Sequence, residues 1–257
     1  MKMKKAYIIL IIILVIFFLV MFFVFGLDNI KKNSYDTTII VGEDTIWVYK
    51  KQKWMNTFKY EDFNWKEYDV YLNNEIKGNY YLTYNDKWYA FDNKKNAILL
   101  DGDLLAIKSN YDISVSNFDT NEISDLSYVN RVLEDNKISK TSKFTVSHKI
   151  DFDYDNDGEE EEFYVISNAF PMDFDPEKIF SLVFMVKDKE IYPIYTDISD
   201  NTGFNGCKPY FNSFIDVDND SRYEFILNCA KYSTNGVSRM LYKYDNNEFK
   251  ILISNNK

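Results

Sequence analysis

The chain has 257 residues and a formal net charge of −10, with a sequence pI of about 4.7. This acidic balance argues against binding to nucleic acid or to anionic lipid headgroups, because both require a basic protein surface. The length is sufficient for a membrane anchor together with one sizeable domain or two small ones.

The N-terminal segment has the features of a membrane anchor. Residues 6–27 carry no charged side chain, and at 1.5 Å per residue they span about 33 Å, enough for a hydrocarbon core of roughly 30 Å. Lys2, Lys4 and Lys5 precede this segment, which predicts a cytoplasmic N-terminus and an extracytoplasmic remainder. A cleaved signal peptide would have a shorter apolar core and a small-residue cleavage site. We therefore expect residues 1–27 to form a cytoplasmic tip and a retained single-pass anchor in the cell membrane.

The region after the anchor is rich in β-branched and aromatic residues. Residues 28–36 are predicted to be a polar linker, and residues 37–118 to be a small antiparallel β domain in which polar and apolar residues alternate. One of the hairpins that we expect there would pair residues 97–100 with residues 104–107.

A change in composition marks the next segment. Residues 119–142 are predicted to be a linker that contains one short helix. Ser124 or Asp125 is a suitable N-cap, because its side-chain oxygen can accept a backbone N–H of the first turn. Apolar residues then recur at helical spacing, which predicts a helix that ends at Asn136.

Residues 143–257 contain the same order of elements twice. Each unit has a strand, an acidic loop, a second strand, a connection and a hairpin, which predicts two four-stranded antiparallel units. The first acidic loop lies between Asp151 and Glu162, and the second lies between Asp216 and Glu224. The fold class expected for the whole chain is therefore mainly β, with a single N-terminal transmembrane helix and one short helix between the β regions.

The acidic loops have the residue pattern of a site for a hard cation. Calcium takes six to eight oxygen ligands, and alternate aspartates on a tight loop can direct their short side chains inward. Gly158 permits a sharp turn in the first loop, and either Glu161 or Glu162 can supply its last carboxylate. The predicted metal ligands are Asp153, Asp155, Asp157 and Glu161 in the first loop, and Asp216, Asp218, Asp220 and Glu224 in the second.

The two loops resemble the short Asp-x-Asp-x-Asp-Gly-x-x-Glu calcium loops of FG-GAP and VCBS-type repeats. The resemblance covers residues 143–253 and implies calcium as the cofactor, a loop that joins two strands, and units similar to the blades of integrin-type β-propellers. Ser221 replaces the glycine in the second loop, and the first loop has one extra acid before its exit strand. Two units cannot close a propeller ring.

The acidic loops have two alternative interpretations, an EF-hand and a solvated turn without an ion. An EF-hand that starts at Asp153 would have Tyr164 at position twelve, where a bidentate glutamate is required, and the flanking segments are predicted strands rather than helices. A solvated acidic turn without an ion is the simpler alternative, because most runs of acids are of this kind. Magnesium is less suited than calcium to a site made only of protein ligands.

The two cysteines, Cys207 and Cys229, lie on either side of the second acidic loop. Both follow the predicted anchor, in a compartment where disulfides persist. Their spacing favours a disulfide across two strands, with two buried free thiols as the alternative.

The sequence offers few groups for catalysis. His148 is the only histidine and is expected to be an ordinary strand residue, and the HExxH and GxSxG motifs of common hydrolases are absent. We therefore expect a non-catalytic binding, adhesion or sensing module at the bacterial cell envelope. Its partners would be the membrane, through residues 6–27, and an unidentified protein or glycan outside the cell. The alternative is an envelope hydrolase that cleaves glycans with a carboxylate pair.

Overall fold

The described residues from Thr37 onward belong to one compact unit, Thr37–Lys257. The predicted anchor, residues 6–27, its cytoplasmic tip and residues 28–35 of the linker lie outside the described residues. Within the part that is described, no helix is long and apolar enough to cross a membrane. The structure is a computed structural model that describes residues 36–73, 75–98, 100, 102–169, 178–200, 206–231 and 236–255.

The prediction of a mainly β protein is confirmed: the described residues form antiparallel strands in three sheets and one α-helix. The first sheet has the strand order β3-β2-β1-β8-β4-β5-β6-β7, and a short 3-10 helix at Tyr60–Phe63 precedes β4. The strands of this sheet are β1 Thr37–Val41, β2 Thr45–Lys50, β3 Lys53–Thr57, β4 Lys66–Leu72, β5 Glu75–Asn85, β6 Lys87–Phe91, β7 Ala97–Ile98 and β8 Leu104–Ser109.

The prediction of a hairpin between residues 97–100 and 104–107 is wrong. Strand β7 pairs with β6 at the edge of the sheet, whereas β8 lies in its middle between β1 and β4. Ile107 pairs with Ile39 on one side and with Asp69 on the other. All four residues of Leu104–Ile107 are buried, so this part of β8 is covered on both faces, which accounts for the continuous apolar run.

The two C-terminal units have the predicted order of strands. The second sheet is the meander β10-β11-β12-β13, and the third is the meander β14-β15-β16-β17 with β9 added beside β14. An acidic loop joins the first two strands of each meander. The bounds are β9 Ser114–Ser116, β10 Val146–Phe152, β11 Glu161–Ser167, β12 Lys178–Lys187, β13 Glu190–Asp200, β14 Cys207–Asp216, β15 Glu224–Lys231, β16 Val237–Asp245 and β17 Glu248–Ser254.

Helix α1, Ser127–Asp135, lies close to its predicted position. The N-cap is Leu126 and not the predicted Ser124 or Asp125. Asp125 instead accepts the backbone N–H of Ser127 at 2.8 Å from one position before the cap, and Asn136 is the C-cap. The apolar side of the helix packs on the outer face of the second sheet, where its contacts include Tyr164 and Phe184.

Side chains of the second sheet point alternately to its two faces, and each face packs into a different hydrophobic core. Phe163 and Val165 of β11 face the third sheet, whereas Tyr164 and Ile166 face the helix. Successive side chains of a strand point to opposite faces, so a sheet covered on both sides needs apolar residues at consecutive positions. This requirement accounts for the continuous apolar runs of β11 and β12.

The third sheet is also covered on both faces. Phe225 of β15 faces the second sheet, and Ile226 faces the first sheet, where it shares a core with Trp47 and Leu105. The segments predicted as separate domains, 37–118 and 143–257, therefore pack against each other through this core.

Cys207 and Cys229 form a disulfide between β14 and β15, with their Cα atoms 5.4 Å apart. Both residues lie in the core between the second and third sheets. The bond closes a segment with a sequence separation of 22 residues that contains the second acidic loop.

Replacing Cys207 and Cys229 together by alanine is expected to lower the free energy of unfolding by about 3 kcal/mol. Without the cross-link, a loop of this length gains that much conformational entropy in the unfolded state. Urea titration followed by tryptophan fluorescence measures the change. The same titration of the wild type with a reductant should give a similar loss. A double variant as stable as the oxidised wild type would show that the disulfide does not stabilise this sheet.

Candidate metal centre

The first acidic loop is shaped by hydrogen bonds from its own backbone. Asp153 accepts the N–H of Asp157 at 3.0 Å on one carboxylate oxygen and the N–H of Gly158 at 2.9 Å on the other. Asp157 in turn accepts the N–H of Glu159 at 2.9 Å. Short aspartate side chains commonly hold turns in this way, so the alternation of acids determines the path of the loop.

The second loop repeats this geometry. Asp216 accepts the N–H groups of Asp220 and Ser221 at 3.1 and 3.0 Å, and Asp220 accepts the N–H of Arg222 at 2.9 Å. Each of these contacts has its counterpart in the first loop. The two loops therefore follow the same path despite their different sequences.

Both loops use the left-handed backbone region at the same two places. Asn156 and Asn219 have φ angles of 57° and 58°, while Gly158 and Ser221 have φ angles of 92° and 67°. A serine in this region costs roughly 1–2 kcal/mol relative to glycine. The replacement of glycine by serine in the second loop therefore affects its stability but not its conformation.

Glu161, and not Glu162, is the last carboxylate of the first loop. Its side chain is 2 % exposed, and it accepts the N–H of Tyr154 at 3.3 Å. Glu224 is 1 % exposed and accepts the equivalent N–H, of Val217, at 3.0 Å. Glu162 instead pairs with Lys149 of the neighbouring strand at 2.5 Å.

Six of the eight predicted ligands converge in two clusters, in each of which carboxylate oxygens lie within 4.8 Å of one another. The remaining two, Asp157 and Asp220, lie beside the clusters. The converging residues are Asp153, Asp155 and Glu161 in the first loop, and Asp216, Asp218 and Glu224 in the second.

A lysine ammonium lies against two of the three carboxylates of the first cluster. Lys187, at the end of β12, has its Nζ 2.7 Å from Asp155 Oδ2 and 2.7 Å from Glu161 Oε1. The same Nζ is 2.9 Å from Asp157 Oδ2. It thus supplies the positive charge that so many carboxylates in one loop require.

Lys243 of β16 has the same place in the second cluster. Its Nζ is 2.5 Å from Asp218 Oδ2, 3.0 Å from Asp220 Oδ2 and 3.0 Å from Glu224 Oε1. Sequence reasoning missed both lysines. The available signal was their common position, near the end of the third strand of each unit.

Burial and ion pairing set the protonation of these groups. Burial disfavours the charged form of Lys187, but hydrogen bonds to its three carboxylate partners outweigh this cost and raise its pKa. The hydrogen bond from Lys187 lowers the pKa of Asp157. Burial raises the pKa of Glu161 despite that lysine, and it raises the pKa of the more deeply buried Glu224 to about 7.

The donor set fits a hard divalent cation. All converging atoms are carboxylate oxygens, the ligands that calcium prefers. Asp155 Oδ1 is buried and has no hydrogen-bond partner in the described part of the chain. The ammonium of each lysine already stands where positive charge is favoured, so a metal ion would have to displace it.

Replacing Lys243 by methionine is expected to lower the free energy of unfolding by about 2 kcal/mol in EDTA, because the buried Glu224 then has no cation beside it. The expected loss is smaller than that for breaking a fully buried ion pair, because the side chains of Asp218 and Asp220 are 45 and 41 % exposed. Urea denaturation at pH 8 measures the loss.

The matched control is Lys250→Met. Lys250 pairs with Asp245 and Glu248 on the same hairpin, at 2.8 and 3.3 Å, but both partners are solvated. Such exposed pairs contribute little to stability, because water and salt screen them. An equal effect of the two substitutions would refute the role assigned to Lys243.

Glu224 is expected to make stability depend on pH. Its folded-state pKa of about 7 lies above the ordinary glutamate value of 4.5, so the folded state favours the protonated side chain. This stabilisation is complete below about pH 4.5 and is lost as the pH rises to about 7, a change of about 3 kcal/mol. The unfolding free energy of the wild type minus that of Glu224→Gln, measured in EDTA, should fall by that amount as the pH rises from 4.5 to 7.5. A constant difference would contradict it.

Neither a protein-family model, nor a curated protein, nor a solved structure matches this chain. The resemblance to FG-GAP and VCBS repeats therefore rests on the loop residues and the order of elements alone.

Proposed function

We propose that this protein is a non-catalytic binding, adhesion or sensing module at the bacterial cell envelope. Residues 6–27 form its single-pass anchor, with the N-terminus in the cytoplasm and the β-sheets outside the membrane. The charge-free length of this segment and the three lysines before it support this orientation. The disulfide between Cys207 and Cys229 suits an oxidising compartment.

The observation that carries the non-catalytic role is the engagement of the loop carboxylates. Asp153 and Asp216 each bind two backbone N–H groups of their own loop. Glu161 and Glu224 each bind one backbone N–H and one lysine. Carboxylates held in this way fix the path of a loop between two strands and are poorly placed to exchange protons with a substrate.

The two C-terminal units are, in this proposal, relatives of FG-GAP and VCBS-type repeats. Each has a cation loop between its first and second strands, and the strand that leaves the loop is apolar. Gly158 and Ser221 both have positive φ angles, so the serine is compatible with the likeness. The extra acid of the first loop, Glu162, points away from the cluster to Lys149 and is compatible with it too.

Calcium is the exchangeable cation of both loops in this proposal. The residues that would hold it are those of the two clusters with Asp157 and Asp220 beside them, and the ion would neutralise their charge. Lys187 and Lys243 hold the loops together when calcium is scarce. At millimolar external calcium, sites with a Kd of about 10⁻³ M become occupied, and the displaced ammonium groups turn to solvent.

Calcium is expected to raise the melting temperature of the full chain in detergent. At 10 mM calcium and a Kd of about 10⁻³ M, each site adds about 1.4 kcal/mol, which corresponds to roughly 8 °C for two sites. The variant with Asp155→Asn and Asp218→Asn keeps the shape of both side chains but should lose this increment. Differential scanning calorimetry with calcium, magnesium or EDTA measures the effect.

Magnesium at the same concentration is the control for ionic strength and for weak binding to exposed acids. An equal rise with magnesium, or no rise with calcium in a folded wild type, would refute calcium as the exchangeable ion. In that case the lysines alone close the loops.

A further inference from the structure

A cleft of about 830 Å³ opens where the ends of the three sheets meet. Asn73 and Asp103 line it from the first sheet, His148 from β10 and Lys208 from β14, with Phe118 and Asp119 on the segment that follows β9. We call it the junction cleft. Its volume lies within the range of about 300–1,000 Å³ that is usual for ligand sites.

The junction cleft contains polar side chains that nothing else in the fold uses. In the described part of the chain, the side chains of Asp119, His148 and Lys208 make no hydrogen bond or ion pair. His148 is held neutral, because burial and the charge of Lys208 both lower its pKa. Its ring therefore offers both a donor and an acceptor.

A β-bulge places a further polar group in this cleft. The register of β14 against β15 shifts between Phe211 and Ser213, which leaves Asn212 as the extra residue. Asn212 lines the cleft and is 4 % exposed. Its Oδ1 accepts the hydroxyl of Ser213 at 3.0 Å, while its Nδ2 has no partner among the described residues. Bulges commonly redirect a side chain next to a binding site.

The junction cleft is bipolar, which restricts the chemistry of its ligand. An anion would be opposed by Asp103 and Asp119, and a cation by Lys208. Sugar hydroxyl groups donate and accept hydrogen bonds at once, so one sugar can satisfy carboxylates, an ammonium and an amide together. The half-buried ring of Phe118 offers an apolar surface for the C–H face of a pyranose.

We propose that the junction cleft binds a neutral oligosaccharide. The ligand lies between the first sheet and β10, with Asp103 and Asp119 accepting its hydroxyl groups and Lys208 and Asn212 donating to its oxygens. This inference rests on the proposed function as a binding module, for which it supplies the site and the class of ligand.

The test is titration calorimetry of the full chain in detergent with four neutral probes: tetra-N-acetylchitotetraose, cellotetraose, maltotetraose and mannotetraose. At least one should bind with a Kd below about 1 mM. The double variant Lys208→Ala with Asp119→Ala should weaken that binding at least tenfold, and both residues are exposed, so the fold is expected to persist. The control is Lys53→Ala with Glu43→Ala, a pair of opposite charges outside the cleft, which should bind as the wild type does.

Other outcomes separate this inference from the proposed function. If no probe binds, or if the cleft variant binds as tightly as the control, the junction cleft is not a saccharide site. If in addition the chain retains purified cell-wall material, the binding module stands and its site lies elsewhere. New reducing ends in an incubated probe would overturn the non-catalytic function and leave the cleft as the place where the sugar binds.

Discussion

The C-terminal half of this fold depends on a single kind of interaction, a half-buried ammonium group shared by several carboxylates. Two like charges 4 Å apart repel by about 4 kcal/mol at the effective dielectric constant near a protein surface, so neither acidic loop could close without a counter-charge. Lys187 and Lys243 provide it from the third strand of their units. Each lysine thereby ties the loop between the first two strands to the strand beside it and helps to set the register of the meander.

The three sheets stack because side chains on successive strand positions point to opposite faces, and apolar side chains occur on both. The middle layer, the third sheet, has apolar side chains on both faces, and Phe225 and Ile226 enter different cores. A one-residue slip would exchange these faces and place the buried glutamates in an apolar environment without their lysines. Loop closure and sheet packing therefore enforce the same register, which is a reason for the two units to retain the same loop geometry.

The polar groups of the acidic loops and those of the junction cleft are used differently. The acidic groups of the loops are used internally, by backbone N–H groups and by lysine. The polar groups of the junction cleft, such as Lys208 and Asp119, have no such use. Lys208 and Asp119 are exposed and hydrated, so their hydrogen-bonding groups are available to a ligand, whereas the loop carboxylates are already engaged within the fold.

The amino-acid sequence alone determined the features that depend on neighbours along the chain. Strand periodicity, the order of elements in the two units and the helix near Asp125 could all be predicted, because each rests on local backbone preference and on the pattern of apolar residues. The acidic loops belong to the same class, since Asp153 and Asp216 bind N–H groups only four and five positions away.

Tertiary structure alone decided what joins distant segments. Lys187 meets Asp157 across 30 positions, and Tyr210 reaches Asp103 in the junction cleft across 107 positions. The pairing of β8 with β1 and the choice of Glu161 over Glu162 have the same origin. A local pattern shows which side chains a strand presents to a face, but the partner on that face is selected by the packing of whole sheets, which minimises exposed apolar surface and unpaired charge together.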